Sequence, residues 1–122
     1  MSIQTPIRIL VIDDHKIVAD AISTLLDTSS DMTVVDRVYA ADGIRAAIDT
    51  HQPDIVLCDL EMPLGDPLEL CHQALTTSPH TKIVALTAFP TDAHVSRAVQ
   101  MHVSGFLSKH ESAETVVDGI RA

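Results

Sequence analysis

The stretch IRILVIDDH, at residues 7–15, contains the pattern that decides the fold. Its first six residues form an almost continuous apolar run, whereas a strand with one face in water alternates apolar and polar side chains. Such a run is typical of a strand that is covered on both faces, as in a parallel sheet. Two aspartates, Asp13 and Asp14, follow the run directly and mark the carboxyl end of the predicted strand.

Strand-like and helix-like segments alternate along the rest of the chain. Five βα units with short connections predict an α/β fold, in which one parallel sheet carries helices on both faces. The predicted strands are residues 7–12, 33–38, 54–58, 82–87 and 104–107, and the predicted helices are residues 15–28, 41–50, 67–76, 92–101 and a last one that opens near Ser112.

Apolar side chains at helical spacing predict which face of each helix lies against the sheet. Asp66 and Pro67 have the residue types of an N-cap and a first helical position, and they predict where the third helix begins. The side chains expected to face inwards are Ile17, Val18, Ala21, Ile22, Leu25 and Leu26 in the first helix, Ile44, Ala47 and Ile48 in the second, Val95, Ala98 and Val99 in the fourth, and Val116, Val117 and Ile120 in the last.

The composition excludes several classes of protein. The chain has 122 residues, enough for one domain with its own core, and 46% of them are apolar, which excludes a disordered segment. A formal net charge of −9 repels phosphate backbones, so the segment is not expected to bind nucleic acid by itself. No apolar run approaches the length of a membrane span. Cys58 and Cys71 lack CxxC spacing, and we expect two buried, reduced thiols in a cytoplasmic protein.

Polar residues stand at the carboxyl ends of four predicted strands: Asp13 and Asp14, then Asp59, Thr87 and Lys109. Open α/β sheets bind ligands at this edge, so these side chains are expected to converge. Carboxylates on adjacent strands, roughly 4.8 Å apart, repel one another unless they share a proton or bind a hard divalent cation such as Mg²⁺. A solvated rim of capped loops is the alternative for any single Asp, but the combination favours a binding site.

The chemistry of such a site points to phosphoryl transfer. A divalent cation beside a carboxylate nucleophile is a route to an aspartyl phosphate, with an ammonium and a hydroxyl available for phosphoryl oxygens. Neither a P-loop nor a GxGxxG motif is present. The seven histidines are scattered, and each is expected to be a surface or core residue rather than a metal ligand or base.

Four motifs resemble the receiver domain of two-component response regulators: VIDDH at 11–15, LCDLEMP at 57–63, ALTA at 85–88 and SGFLSK at 104–109. They occur in the family's order and cover essentially the whole chain. The resemblance implies a flavodoxin-like, doubly wound fold with strand order 2-1-3-4-5, and residues 1–122 as one receiver domain. The Asp-Asp-His form is similar to the NarL/LuxR-type subfamily, in which a helix-turn-helix DNA-binding domain follows the receiver.

The resemblance also implies a role for each matching residue. Asp59 matches the phospho-acceptor, Asp14 the direct Mg²⁺ ligand, and Asp13 the acid that holds a metal-bound water. Asp59 and the backbone carbonyl of Glu61 complete the implied metal ligands. The other implied roles are phosphate contact by Thr87, Lys109 and the backbone of Ala88, switching by Thr87 and Phe106, and tuning of the phosphate lifetime by Glu61 and Phe89.

Departures from the family pattern occur at Pro67, at His110, and at the pair Glu61 and Phe89. Pro67 stands where the family often has Gly, and it is expected to stiffen the entry into the third helix. His110 replaces the frequent Pro after Lys109, which leaves open whether that peptide bond is cis or trans.

These features together predict a switch rather than an enzyme, phosphorylated on Asp59 by a sensor histidine kinase and at most able to phosphorylate and dephosphorylate itself. A homodimer would use the side of the fourth helix, fifth strand and last helix, or that of the first and last helices. The last helix lacks a stop signal after Ile120, so a longer protein is expected, with DNA bound only through a following output domain. The alternative is a single-domain protein whose last helix frays. The alternatives are a receiver-like binding module that works without phosphorylation, and a metal-dependent phosphatase, for which Asp59-Leu60-Glu61 is a loose match to a DxD motif.

Overall fold

The computed structural model describes residues 6–62, 66–87, 91–101, 103–108 and 119–120. Within these residues, strands and helices alternate as predicted. The predicted last helix lies mostly outside them, although Gly119 and Ile120 are helical. The strands are β1 (Ile7–Ile12), β2 (Met32–Val38), β3 (Ile55–Asp59), β4 (Lys82–Thr87) and β5 (Gly105–Ser108), and the helices are α1 (Lys16–Asp27), a short 3-10 helix (Ala41–Gly43), α2 (Ile44–His51), α3 (Pro67–Ala74) and α4 (Asp92–Gln100).

The five strands form one parallel sheet in the order β2-β1-β3-β4-β5, which confirms the predicted flavodoxin-like topology. Ile12 pairs with Cys58 across β1 and β3, so Asp13 and Asp59 follow at the same level. Asp59 pairs with Leu86 across β3 and β4, one residue before Thr87. The register therefore brings the polar strand ends to one edge of the sheet.

β1 shows why the central strands are continuous apolar runs. Leu10 and Ile12 pack into a core layer with residues of α2 and α3, whereas Ile9 and Val11 pack into a second layer with residues of α1. All four side chains are at most 1% exposed. Successive side chains of a strand point to opposite faces, so a sheet covered on both faces leaves no position for a polar residue along residues 9–12 of β1.

The predicted inward faces of two helices need correction. Ile17 in α1 is 86% exposed, whereas Leu26 is buried as predicted, together with Ala19 and Ser23, which were not predicted. In α4, Val95 and Val99 are 46% and 70% exposed, whereas the prediction for Ala98 is confirmed, since Ala98 is buried. Both helices carry apolar residues on more than one face, so their spacing alone does not select the face that packs. In α2 the prediction is confirmed, with Ile44, Ala47 and Ile48 buried.

The start of α3 is confirmed in its residues and its geometry. Pro67 occupies the first helical position, and the Asp66 carboxylate accepts a hydrogen bond from the Glu69 amide at 3.3 Å. Arg97 of α4 also contacts the Asp66 carboxylate, which links the beginning of α3 to α4. No helix in the described part of the chain is both long and apolar enough to span a membrane.

Candidate functional site

Three carboxylates meet at the carboxyl edge of the sheet. Asp13 and Asp14 follow β1, and Asp59 is the last residue of the neighbouring strand β3. Asp13 is 1% exposed and Asp59 is fully buried, whereas the Asp14 side chain remains 23% exposed. The Asp13 amide donates to the Val38 carbonyl at 3.0 Å, which holds Asp13 in line with the sheet. The predicted convergence of these carboxylates is therefore present in the fold.

Each buried carboxylate is oriented by a backbone amide two residues further along the chain. The His15 amide donates to Asp13 Oδ1 at 2.9 Å, and the Glu61 amide donates to Asp59 Oδ1 at 3.0 Å. These are the local turns that Asp side chains favour, since a carboxylate reaches its own backbone two residues on. In both residues this hydrogen bond from a backbone amide thus fixes one carboxylate oxygen relative to its loop.

His15 joins the carboxylates through its ring. Its Nδ1 lies 3.1 Å from Asp14 Oδ1 and 3.4 Å from Asp13 Oδ1. Ligand atoms of Asp13, Asp14, His15 and Asp59 all lie within 4.8 Å of one another. His15 is an exposed residue, as predicted, but its place in this cluster was not predicted. The signal was available, because His15 directly follows the Asp13-Asp14 pair.

The donor set of this cluster fits a hard divalent cation. Carboxylate oxygens are the protein ligands that Mg²⁺ prefers, and the cation would offset the mutual repulsion of three anions in a small volume. The cluster lies at the carboxyl end of strands at the middle of the sheet, where open α/β sheets bind their ligands. A cation at this position would therefore lie against Asp59 as well as against Asp13 and Asp14.

Thr87 lies beside this cluster at the end of β4. Its side chain is fully buried, and its hydroxyl donates a hydrogen bond to the Glu61 carboxylate, in the loop that follows β3. The two residues are 26 positions apart in sequence. Glu61 was predicted as a backbone ligand and a tuning residue, so its side-chain contact with Thr87 is an additional finding.

The pairing of β5 with β4 places Phe106 on the same side of the sheet as Thr87. It pairs with Ala85 across β4 and β5, two residues before Thr87, so both side chains project from the same face of the sheet. Phe106 is half-buried. The other predicted site residues of this region, Lys109, Ala88 and Phe89, lie outside the described residues.

Two thiols lie close to the carboxyl end of β3. Cys58 and Cys71 are both buried and unpaired as disulfides, as predicted, and their sulfur atoms are 4.0 Å apart. The hydrogen bond with Cys71, together with burial and the nearby Asp59 charge, raises the pKa of Cys58 well above its ordinary value. A thiol that resists ionisation is a poor nucleophile, so Cys58 serves as a packing residue.

Comparisons with known proteins agree with this geometry. The family model for the response regulator receiver domain matches residues 9–121. The response regulator protein VraR from Staphylococcus aureus is 36% identical over 117 residues, which cover 94% of this chain and 55% of VraR. YxjL, an uncharacterized transcriptional regulatory protein from Bacillus subtilis, is 31% identical over 116 residues, 95% of this chain and 53% of YxjL. The chain therefore spans about half the length of these curated relatives.

The solved structure of one receiver domain is similar to this chain over almost the whole length of both. The signal receiver domain of the response regulator NarL from Mycobacterium tuberculosis superposes with a TM-score of 0.88 at 25% sequence identity. The match covers 96% of this chain and 94% of that domain.

Proposed function

Because the chain belongs to the family of response regulator receiver domains, we propose that it accepts a phosphoryl group on Asp59 from a sensor histidine kinase in the cytoplasm. The observation that carries this proposal is the meeting of Asp13, Asp14 and Asp59 at one edge of the sheet, with the Thr87 hydroxyl beside them. The domain is a switch rather than an enzyme with a separate substrate, and phosphorylation shifts it between two conformations.

Asp59 is the acceptor because it ends the strand between the acid pair and β4. The Glu61 amide orients the Asp59 carboxylate from one side. One carboxylate oxygen attacks phosphorus, forming an O–P bond while the P–N bond of the donor phosphohistidine breaks. The bonding pair leaves with the imidazole nitrogen, and Asp59 becomes an acyl phosphate.

Asp14, Asp59 and the backbone carbonyl of Glu61 would hold Mg²⁺ directly, with Asp13 bound to it through water. When bound, Mg²⁺ neutralises negative charge on the transferring phosphoryl group. Thr87, Lys109 and the backbone amide of Ala88 contact the phosphoryl oxygens in this proposal. Glu61 and Phe89 flank the same position and set how long the phosphate survives.

Phosphorylation is tested with a small phosphoryl donor and a variant of the acceptor. Wild-type protein incubated with acetyl phosphate and Mg²⁺ should gain the mass of one phosphoryl group in intact-mass spectrometry. Asp59→Asn keeps the side-chain shape but removes the nucleophile, so it should gain nothing. Asp42→Asn is the matched control, because it makes the same change at an exposed carboxylate of the 3-10 helix. Undiminished labelling of Asp59→Asn would overturn the assignment.

The output is proposed from the relatives. Since VraR and YxjL are named as regulators and are about twice as long as this chain, we propose that the domain controls a helix-turn-helix transcriptional output in a longer protein. The acidic receiver itself, with a formal net charge of −9, is not the DNA-binding part. Phosphorylation would act by changing a dimer surface on the side of α4 and β5, or on the side of α1.

A further inference from the structure

The contact between Thr87 and Glu61 has a consequence for the switch. The Thr87 hydroxyl donates a hydrogen bond to a carboxylate oxygen of Glu61. A phosphorylated Asp59 would need the same hydroxyl as a hydrogen-bond donor for one of its phosphoryl oxygens. We infer that the Glu61 side chain is an internal competitor of the phosphoryl group, which holds the Thr87 hydroxyl in the unphosphorylated domain. The inference rests on the proposed function, because it concerns the same acceptor.

Two backbone bonds place Glu61 where it can compete. The Glu61 amide donates to Asp59 Oδ1 at 3.0 Å, which ties the residue to the acceptor. The Leu60 amide donates to the Leu86 carbonyl at 3.0 Å, which ties the same loop to β4 one residue before Thr87. The Glu61 side chain therefore starts from a backbone held at both the acceptor and the end of β4. This position of the backbone allows the Glu61 carboxylate to contact Thr87.

The competition reduces, in two ways, the free energy by which phosphorylation favours the switched conformation. Thr87 exchanges one anionic acceptor for another, so the switch gains only the difference between two charge-assisted hydrogen bonds. In addition, the Glu61 carboxylate lies beside the position that a dianionic phosphoryl group would take, and like charges repel strongly at short range when partly buried. Both effects favour the unphosphorylated conformation.

Two variants of Glu61 separate these effects without changing the backbone of the loop. Glu61→Ala removes both the acceptor and the charge, whereas Glu61→Gln removes the charge and keeps a neutral acceptor. Both retain the Glu61 amide that orients Asp59 and the carbonyl proposed as a metal ligand. Glu69→Ala is the matched control, because it removes one negative charge from a helical Glu that contacts Arg97 at 3.6 Å, outside the site.

The test measures the affinity for beryllofluoride, an analogue of the phosphoryl group, at saturating Mg²⁺ by titration calorimetry. Losing a competing hydrogen bond to a charged group should tighten binding by roughly tenfold in Glu61→Ala. Glu61→Gln should fall between Glu61→Ala and wild type, and Glu69→Ala should match wild type. In a Thr87→Val background the hydroxyl is absent, so Glu61→Ala should then have a much smaller effect.

A second measurement needs no phosphoryl analogue. The γ-methyl signal of Thr87 in ligand-free protein should shift in Glu61→Ala and stay unchanged in Glu69→Ala, because only the first variant frees the hydroxyl from its present acceptor. A purely structural role of Glu61 would not produce this shift together with tighter beryllofluoride binding.

Failure of the proposed function can be distinguished from failure of this inference alone. Wild-type protein that fails to bind beryllofluoride would overturn the proposed function and this inference with it. Normal wild-type binding with no tightening in Glu61→Ala would overturn the inference alone. Equal tightening with and without the Thr87 hydroxyl would also overturn it, because Glu61 would then act through charge repulsion only.

Discussion

Asp14 differs from the two neighbouring carboxylates in its exposure to solvent. Its side chain is 23% exposed, whereas Asp13 and Asp59 are buried. An exposed carboxylate beside two buried ones is well placed to admit a hydrated cation, since Mg²⁺ keeps several of its waters when it binds to proteins. The exposure of Asp14 thus suits its proposed role as a direct ligand of the cation.

We expect Asp14→Asn to weaken Mg²⁺ binding by roughly tenfold or more, because loss of even an indirect partner of a metal site commonly costs that much. The measurement is a Mg²⁺ titration that follows the backbone amide signals of residues 13–15 and 59–61. Asp42→Asn serves as the control for the change in net charge. Equal Mg²⁺ affinities for Asp14→Asn and wild type would contradict the role of Asp14.

The Cys58 thiol gives a pH-dependent prediction. Its pKa in the folded domain is raised well above the ordinary 9.0 by the hydrogen bond with Cys71, by burial and by the Asp59 charge. A raised pKa of an acidic group means that its contribution to stability is complete below the ordinary value and is lost as the pH rises towards the folded value. The free energy of unfolding should therefore fall as the pH rises above 9.0.

Urea denaturation at a series of pH values tests this behaviour. The Cys58→Ala variant should show a shallower decline above pH 9.0 than wild type, whatever its stability at neutral pH. Identical slopes for the two proteins would show that Cys58 does not titrate as proposed.

At the scale of elements, β4 and β5 connect the site to α4. Thr87 ends β4, and Phe106 lies on the adjacent strand with its side chain on the same face of the sheet. α4 contributes little to the core, since Ala98 is its buried residue and Val95 and Val99 face solvent. A helix with so little buried apolar surface opens at low cost in free energy, which suits a part that moves.

We expect Thr87→Ala to accept a phosphoryl group on Asp59 but to lose the change that spreads to β5 and α4. The hydroxyl is the group through which β4 would sense the phosphoryl oxygen, and a ligand shifts an equilibrium only by its differential interaction with the two states. Amide hydrogen exchange across residues 88–110, with and without beryllofluoride, measures the change. A wild-type response in the variant would rule out the coupling between Thr87 and Phe106.

At the scale of the whole molecule, stability depends on two core layers that share the central strands. Leu10 is fully buried on the α2 and α3 side of β1. We expect Leu10→Ala to lower the free energy of unfolding by about 2–5 kcal/mol, the range for creating a cavity in a packed core. Ile17→Ala is the matched control: Ile17 is 86% exposed, so its loss should change stability by less than about 0.5 kcal/mol. Chemical denaturation of both variants tests the comparison, and similar costs would contradict the packing described here.

The sequence alone determined the order of elements, the parallel sheet and the meeting of Asp13, Asp14 and Asp59. These follow from local patterns, because a continuous apolar run identifies a doubly covered strand and a polar residue at its end identifies the ligand-binding edge. The burial of Asp13, Asp59 and Thr87 agrees with this reading. The prediction of the central strands is reliable because each of them has apolar contacts on both faces. The prediction therefore does not depend on identifying which face of the strand is buried.

Only the tertiary structure decided which helix faces pack and which side chains touch within the site. Ile17, Val95 and Val99 match a helical stripe but are exposed, because the packed face depends on the shape of the neighbouring layer as well as on spacing within the helix. The hydrogen bond between Thr87 and Glu61 joins the end of β4 to the loop after β3, 26 residues apart in sequence, and it depends on the register of β3 against β4. A contact of this kind has no local signal, since it exists only once both strands are paired in one sheet.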